Sequence, residues 1–408
     1  MIFKWLIPLL LTLSYGIRFV MALAQRRSAS NPTPANVADV YDAETYERWK
    51  QYSADNSRLH LLSLAISWAV SMILLCLNVY AAVAAWFPAG PFWQLFAVVL
   101  TSTVIETIAD FGPEYYRVMV IEEKYGFNRS SRKTFLTDQV RNLLINFGFS
   151  LLLAWLLCWI HGALGDGVII VFALAVFAFT LLIAFLYPIF SRIGNKFTPL
   201  EDGELKDRLL GLLEKHGYQV KAIEVMDASR RTTKLNAYFT GFGKMKTIVL
   251  YDNLINAMSP DEICAVFAHE LGHGLHKDVP KQQIMNLGNL LIMSVLVWLT
   301  IRTSAMHEAF GFTEVNYGFA FTLLGAFMGL VSPLISMAIN AYTRHAEYRA
   351  DRQAVQEGVG EALVDALKKL ARENFAHLAP GKAQVILEYS HPPLSQRIAA
   401  IEEALEKK

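Results

Sequence analysis

The chain has 408 residues, of which 54% are hydrophobic and only 18% are charged, and its net charge is +1. A soluble protein of this size carries about a quarter charged residues, whereas the mean hydropathy here is +0.33. This composition excludes a disordered, fibrous or nucleic-acid-binding protein and argues against an ordinary soluble enzyme. The three cysteines, Cys76, Cys158 and Cys264, are too few and too far apart for a disulfide framework or a cysteine metal site.

Long apolar runs predict that the chain crosses a membrane several times, since a spanning helix needs about 20 mostly apolar residues. Seven runs are candidates, of which the sixth is the shortest: Ile2 to Leu23, Leu61 to Phe87, Phe92 to Phe111, Leu143 to Ile160, Val168 to Phe190, Leu287 to Ile301 and Tyr317 to Ile339. We therefore predict a mainly α-helical, multi-pass membrane protein with about seven transmembrane helices. Residues 1–190 would form an N-terminal membrane region with five of them, and residues 191–408 would hold the rest and a soluble tail.

The first run could instead be a signal peptide, because Lys4 precedes it and Ala22-Leu23-Ala24 offers a cleavage site. The placement of charge favours an uncleaved span. With seven spans, every Lys and Arg except Lys4, Arg18 and Arg302 belongs to segments on one side of the membrane. Basic residues near short loops mark the cytoplasmic side, so we expect all the large polar segments there.

Two polar features of the N-terminal region allow more than one interpretation. Glu106 and Asp110 lie four residues apart in the third run and share a helix face, so they line a polar interior or sit at an interfacial end closed by Gly112-Pro113. Residues 28–38, SASNPTPANVA, are typical of a linker. Four aromatic residues follow: Tyr41, Tyr46, Trp49 and Tyr52. They are expected to anchor at the membrane interface, and a binding platform is the alternative.

Residues 191–286 form the one sizeable polar insert. Periodicity predicts an amphipathic helix over residues 201–216 and then three strands, Val220 to Val225, Ala237 to Thr240 and Thr247 to Tyr251, with a hairpin-like turn at 241–245 between the last two. A new helix is predicted after Ser259, which suits the N-cap. Pro260 suits the first helical position, and Glu262 completes a capping box.

That capped helix contains His269-Glu270-Leu271-Gly272-His273, the pattern HExxH. Residues four apart share a helix face, so the two imidazoles can bind one metal ion, and zinc suits such ligands. Glu270 lies beside them and can take a proton from the attacking water and later give it to the leaving amine. A chance match is the alternative, but the well-formed cap and the position close to the membrane argue against it.

A catalytic zinc ion usually takes a third protein ligand. Val279 stands where the longer HExxHxxGxxH pattern would place a histidine, and His276 lies too far along the helix. Glu347, just after the last apolar run, is the better candidate, and Asp351 on the same helix face would accept a hydrogen bond from a ligand imidazole. His345 is the rival ligand. Taken alone, this segment could also be an ordinary charged helix.

Several separated segments together resemble the type I CAAX prenyl endopeptidases, which are integral-membrane zinc proteases. The segments are Val120 to Asn128, Asn236 to Phe239, Ile248 to Asp252, Cys264 to His273, Glu347 with Asp351, and Ser390 to Pro393 with Arg397. The resemblance implies a helical membrane barrel around a large chamber, with a gluzincin-like zinc protease domain and a small β-sheet at its cytosolic end. It implies one zinc ion per chain, bound by His269, His273 and Glu347.

The resemblance also implies roles for the other site residues. Glu270 would be the general base and Asp351 would support a ligand, while His391 and Arg397 would hold the substrate or the tetrahedral oxyanion. An edge strand would receive the substrate as a further strand, and it is formed by Asn236, Ala237, Tyr238 and Phe239. The alternatives are a plain turn at His391 and an ordinary hairpin strand at residues 236–239.

The resemblance implies cleavage after the prenylated cysteine of a CAAX terminus. The expected partners are the lipid bilayer and a peptide or protein substrate, with or without a prenyl group. A bacterial inner membrane and the endoplasmic reticulum both fit, with the zinc site on the cytoplasmic side. Two other hypotheses stay open at this point: a quality-control protease of unprenylated proteins, and a transporter or receptor with a vestigial metal site. An HExxH within a span is disfavoured by the charged residues that flank the motif.

Overall fold

The computed structural model of the chain describes residues 2–192, 195–240 and 247–408, with the side chains of 187, 188, 190, 239 and 240 outside that description. The first helices are α1 (Phe3–Ser28), α2 (Ala43–Cys76), α3 (Val79–Ala84), α4 (Pro91–Tyr116), α5 (Arg132–Leu164), α6 (Val168–Phe190) and α7 (Glu204–Lys215). The later helices are α8 (Asp252–Ala257), α9 (Pro260–Leu275), α10 (Asp278–Arg302), α11 (Ser304–Glu308), α12 (Tyr317–Gln356), α13 (Gly360–Glu373), α14 (Lys382–Glu388) and α15 (Leu394–Glu406). The strands are β1 (Phe197–Pro199), β2 (Ala222–Met226), β3 (Ala237–Thr240) and β4 (Thr247–Tyr251).

Within the described residues, six segments are long and apolar enough to cross a membrane. One of them, Arg132–Leu186, contains α5 and most of α6, which meet at a short 3-10 turn. The predicted runs therefore fall in helices α1, α2, α4, α5, α6, α10 and α12, although some boundaries differ. The prediction of a mainly helical, multi-pass membrane protein is confirmed. The division into residues 1–190 and 191–408 stays a prediction.

Two of the predicted boundaries are wrong. The second run is broken, because α2 ends at Cys76 and Asn78 adopts a left-handed conformation with φ of 53° before α3 begins. Gly112-Pro113 does not close the third span: α4 continues to Tyr116 and then as π-helical turns over Arg117–Glu122. A proline removes one backbone donor, and here the helix continues past that loss.

The last span and the candidate ligand segment form one continuous helix. α12 has 40 residues, so it is about 60 Å long at 1.5 Å per residue. That length is about twice the thickness of the hydrocarbon core of a bilayer, which is about 30 Å. Its polar C-terminal half therefore extends beyond the membrane and carries Glu347 and Asp351 on a rigid extension of a transmembrane helix.

The segment that follows α1 is not a free linker. Val37 is fully buried, and Tyr41 and Trp49 are 7% and 3% exposed. The Tyr41 ring packs edge-on against Phe375 of the C-terminal region, and the Trp49 indole N–H donates to the Phe375 carbonyl at 3.1 Å. The prediction of a linker followed by interfacial anchors is wrong, because the C-terminal region folds back onto these side chains.

The four strands form one sheet in the order β1-β2-β4-β3. β2 and β4 are parallel, while β1 and β3 run antiparallel to their neighbours and form the two edges. Apolar side chains of the sheet share one hydrophobic core with α7 and α9, which includes Ile248, Leu209 and Phe267. The predicted strands and the helix near 201–216 are confirmed, whereas the three-residue β1 was not predicted. The predicted turn at 241–245 lies outside the described residues.

Helices α2, α4 and α5 line a cavity of about 1050 Å³. Glu106 and Asp110 both contribute to its wall, together with polar side chains such as His60 and Asn142. This position favours the interpretation of Glu106 and Asp110 as part of a polar interior lining, which stays a prediction. Phe375 and His377 of the C-terminal region also line this cavity.

Candidate active site

The start of α9 is fixed by the predicted capping box. The Ser259 hydroxyl accepts from the Glu262 N–H at 3.3 Å, and the Glu262 carboxylate accepts from the Ser259 N–H at 2.6 Å. Lys369 of α13 also donates to Glu262 at 2.7 Å. These contacts satisfy backbone donors that the first turn of a helix leaves unpaired. The helix that carries HExxH is thus anchored at its N-terminal end.

A close approach of α9 and α12 brings the predicted metal ligands together. A Cβ added at Gly272 would lie 3.0 Å from the Cα atom of Ala350. Small residues line the same contact, since Ala268 and Ala350 are both fully buried. A larger residue at position 272 would push the two backbones apart. The glycine within HExxH therefore allows Glu347, one turn before Ala350, to face the two histidines.

His269, His273 and Glu347 form a group whose ligand atoms all lie within 4.8 Å of one another. The Nε2 atoms of His269 and His273 lie 3.5 and 3.4 Å from the two carboxylate oxygens of Glu347. His276 is the C-cap residue of α9, and His345 is exposed. Neither belongs to this group, so the structure brings together the three residues that the sequence favoured.

The group fits a divalent cation. Glu347 is only 3% exposed, yet its Oε2 atom has no hydrogen-bond partner among the described residues. Burial lowers the pKa of His269, but the nearby carboxylates of Asp351 and Glu347 outweigh it and raise the pKa to about 9. The pocket is therefore strongly favourable for positive charge. Two imidazoles and one carboxylate are a donor set that zinc prefers.

Asp351 and Arg397 support His269 from behind. The Nδ1 atom of His269 lies 2.9 Å from the Asp351 Oδ1 atom. Arg397 is 9% exposed and binds Asp351 through two hydrogen bonds, from Nε at 2.9 Å and from Nη2 at 2.6 Å. Its Nη1 atom lies 3.4 Å from Glu347 Oε2. These contacts direct the guanidinium toward the carboxylates of the site.

His391 contacts the Glu347 carboxylate from the solvent-exposed side of the site. Its Nε2 atom lies 3.3 Å from Glu347 Oε1, and its side chain is 62% exposed. Its Nδ1 atom lies 2.8 Å from the Ser390 hydroxyl. Arg344 of α12 holds the preceding turn, because its Nη1 atom donates to the carbonyl groups of Val385 at 2.8 Å and Tyr389 at 2.7 Å. The sequence did not predict this role for Arg344, since a charge pattern does not reveal carbonyl partners.

The predicted substrate strand lies beside α9, the helix that carries HExxH. Ala237 and Tyr238 line the same small hollow as Glu270. The Asn236 carbonyl accepts from the Tyr251 N–H at 3.2 Å, so alternation along the strand points the Ala237 N–H to the free edge of the sheet. There the Ala237 N–H donates to the side chain of Asn236 at 2.9 Å. Phe239 follows at the next position of the same edge, by the same alternation.

Contacts with Asn374 limit where the outer edge of β3 begins. The Leu235 N–H donates to the Asn374 side-chain oxygen at 3.0 Å, and the Asn374 amide nitrogen donates to the Leu235 carbonyl at 3.3 Å. These two bonds occupy the edge groups of Leu235, two residues before β3. Among the described residues, the edge that carries no neighbouring strand begins at Ala237, whose N–H is held by the adjacent Asn236 side chain.

One further residue at the site was missed by the sequence. The Nδ1 atom of His273 lies 3.0 Å from a carboxylate oxygen of Asp278. In the sequence, Asp278 is simply one of the charged residues after HExxH. An acid five residues after the second histidine does not by itself predict a contact with that histidine. The contact follows only from the turn that joins α9 to α10.

Two family models match the chain in succession. The model described as CAAX prenyl protease N-terminal, five membrane helices, matches residues 23–192. The model of peptidase family M48 matches residues 199–405. Between them they account for most of the chain, including the HExxH helix and the C-terminal tail.

Whole-length similarities agree with these matches. The CAAX prenyl protease 1 homolog of Oryza sativa subsp. japonica is 30% identical over 97% of this chain and 96% of its own length. CAAX prenyl protease 1 of Saccharomyces cerevisiae is 28% identical over 92% of this chain and 89% of its own. The crystal structure of S. mikatae Ste24p superposes with a TM-score of 0.92 at 25% identity, covering 98% of this chain and 99% of that one. The chain therefore belongs to the CAAX prenyl proteases of peptidase family M48 and is an integral-membrane metalloendopeptidase.

Proposed function

We propose that this chain binds one zinc ion and hydrolyses the peptide bond after the prenylated cysteine of a CAAX terminus. The observation that carries the proposal is the group formed by His269, His273 and Glu347, with Glu270 next to it. Alongside lies the edge strand β3, which has no further strand neighbour among the described residues. The relatives in rice and yeast are both named as CAAX prenyl proteases, which supports this substrate class.

His269, His273 and Glu347 would hold the ion, which when bound lowers the pKa of water and polarises a carbonyl group. Glu270 directly follows His269 and is partly exposed, so its carboxylate can take a proton from the attacking water and return it to the leaving amine. His391 is exposed on the open side and would donate to the oxyanion that develops on the substrate. Asp351 and Arg397 would keep His269 in place.

The substrate would add to β3 as a further antiparallel or parallel strand, with its backbone bonded to Ala237 and Phe239. The opposite edge of the sheet is less suitable, because Pro199 lacks an N–H and removes a donor from β1. Strand addition at β3 would also bring the substrate backbone next to Glu270, which lines the same hollow as Ala237. The backbone bonds would supply affinity that does not depend on the substrate sequence.

Replacing Ala237 with proline is expected to lower kcat/KM at least about fivefold, since one backbone hydrogen bond contributes about 1 kcal/mol. Proline is tolerated on an edge strand whose N–H faces outward, so the zinc content should not change. The matched control is Ala237→Ser, which keeps the N–H and nearly the same volume. Steady-state kinetics of both variants check the prediction, and equal activity of the two would count against strand addition at this edge.

We place the active site on the cytoplasmic side of the membrane. The supporting observation is the distribution of basic residues, because only Lys4, Arg18 and Arg302 lie on the other side of the seven-span arrangement. Positive charge near membrane helices marks the cytoplasmic face. A substrate that carries its prenyl group would then reach the site from the bilayer on that side.

The proposal is tested with purified full-length protein in detergent and two CAAX peptides of one sequence, farnesylated and unmodified. We expect removal of the last three residues from the farnesylated peptide and complete loss of activity with a zinc chelator. Restored activity on adding zinc would confirm the metal. If an unfolded, unprenylated protein is cut while the farnesylated peptide is not, the zinc peptidase assignment stands and the chain is instead a quality-control protease.

A further inference from the structure

The second histidine of HExxH is held by a carboxylate from a membrane helix. Asp278 is the first residue of α10 and is 8% exposed. Its Oδ2 atom lies 3.0 Å from His273 Nδ1. The turn that places it there uses Lys277, a non-glycine residue in the left-handed region with φ of 56°. Such a conformation is unfavourable for a residue with a side chain, and here it turns the chain directly from α9 into α10.

The other oxygen of Asp278 is bound by α12, the helix that carries Glu347. The Tyr342 hydroxyl donates to Oδ1 at 2.9 Å, and Arg349 donates to the same atom from Nη2 at 2.6 Å. Arg349 also contacts Tyr342, with 3.4 Å between Nη2 and the hydroxyl oxygen. Both oxygens of the Asp278 carboxylate therefore have partners, and contacts with α9 and α12 fix its position.

The arrangement repeats the one around the first histidine. His269 Nδ1 faces Asp351, which Arg397 supports, and His273 Nδ1 faces Asp278, which Arg349 supports. In both cases a carboxylate oxygen lies within about 3 Å of Nδ1 and can only accept, which favours a proton on Nδ1 and leaves the lone pair of Nε2 for a metal ion. Partners of this kind fix the tautomer and ring orientation of a ligand histidine, and losing one typically costs 10- to 100-fold in metal affinity.

We propose that Asp278, supported by Tyr342 and Arg349, is a positioning residue that holds His273 in the metal-binding tautomer and orientation. The inference rests on the proposed zinc site and adds the start of α10 to the parts of the chain that build it. The alternative is that Asp278 only stabilises α10, because an acid at the first residue of a helix interacts favourably with the helix dipole. That role would affect stability but not the metal affinity of a folded protein.

The experiment uses the full-length protein in detergent, stripped of metal and titrated with zinc against a competing chelator. We expect Asp278→Asn to raise the zinc Kd by about 10- to 100-fold and to alter the visible absorption spectrum of the cobalt-substituted protein. The melting temperature of the metal-free variant should stay close to that of the metal-free wild type. The matched control is Asp166→Asn, because Asp166 accepts from an arginine and an aromatic N–H at the opposite end of α10, namely Arg302 and Trp298. The control should leave the zinc Kd unchanged.

Tyr342→Phe is the second variant, which removes one donor to Asp278 and keeps the ring. We expect a smaller rise in the zinc Kd, of a few-fold, and if Asp278→Asn does not fold this variant decides alone. An unchanged zinc Kd and cobalt spectrum in the folded variants would overturn the inference. Failure of the wild type to bind one zinc ion per chain would instead overturn the proposed function, so the two failures are distinguishable.

Discussion

Replacing Glu270 with glutamine is expected to abolish peptide hydrolysis and to leave the metal bound. Glu270 is not part of the ligand group of His269, His273 and Glu347, so the amide should not disturb binding of the ion. Glutamine cannot accept a proton from water, and a positioned general base typically contributes about 10²- to 10⁴-fold. The measurement compares kcat on a farnesylated peptide with zinc content for the wild type and the variant.

A matched control separates this effect from a general loss of charge. Glu402→Gln removes an exposed carboxylate on α15 and should leave both kcat and zinc content unchanged. Substantial turnover by Glu270→Gln at full zinc occupancy would show that another group takes the proton. Loss of both activity and zinc would show that Glu270 takes part in holding the ion.

The parts of this site that the sequence predicted are those that depend on local geometry. HExxH on a helix places His269 and His273 on one face whatever surrounds them, and the capping box needs only Ser259 and Glu262 three residues later. Strands β3 and β4 were predicted with their observed bounds because alternation and β-branched residues are local as well. Glu347 was found through its spacing to Asp351 and through its place after the last apolar run.

The parts that were missed depend on contacts between distant segments. Residues 28–38 have the composition of a linker, but Val37 is buried because the C-terminal region packs over it. Asp278 and Arg349 are 71 residues apart and meet only because the start of α10 packs beside the C-terminal part of α12. The composition of either segment cannot predict a contact between two residues so far apart in the sequence. Likewise, helix α4 passes Pro113, since the packing of neighbouring helices decides whether one lost hydrogen bond ends a span.

Replacing Arg397 with methionine is expected to destabilise the metal-free protein by about 3–5 kcal/mol, because removing one partner of a buried ion pair leaves uncompensated buried charge. Arg397 is 9% exposed, and its guanidinium faces both Asp351 and Glu347. A bound zinc ion would supply positive charge to Glu347. We therefore expect Arg397→Met to lower the free energy of unfolding clearly less when zinc is present. Thermal unfolding with a chelator and with excess zinc measures the two losses.

The double variant Arg397→Met with Asp351→Asn decides whether the pair acts as a unit. Both partners lose their charge together, so no uncompensated carboxylate remains at position 351 and the combined loss should be smaller than the sum of the single losses. Residues in one hydrogen-bonded network couple by about 0.5–3 kcal/mol. The control is Arg352→Met, whose exposed side chain neighbours Asp351 in sequence and whose replacement should change stability by no more than about 0.5 kcal/mol. If the stability losses of the single variants simply add in the double variant, Arg397 acts independently of the carboxylates that it faces. The same conclusion follows if zinc does not reduce the stability loss of Arg397→Met.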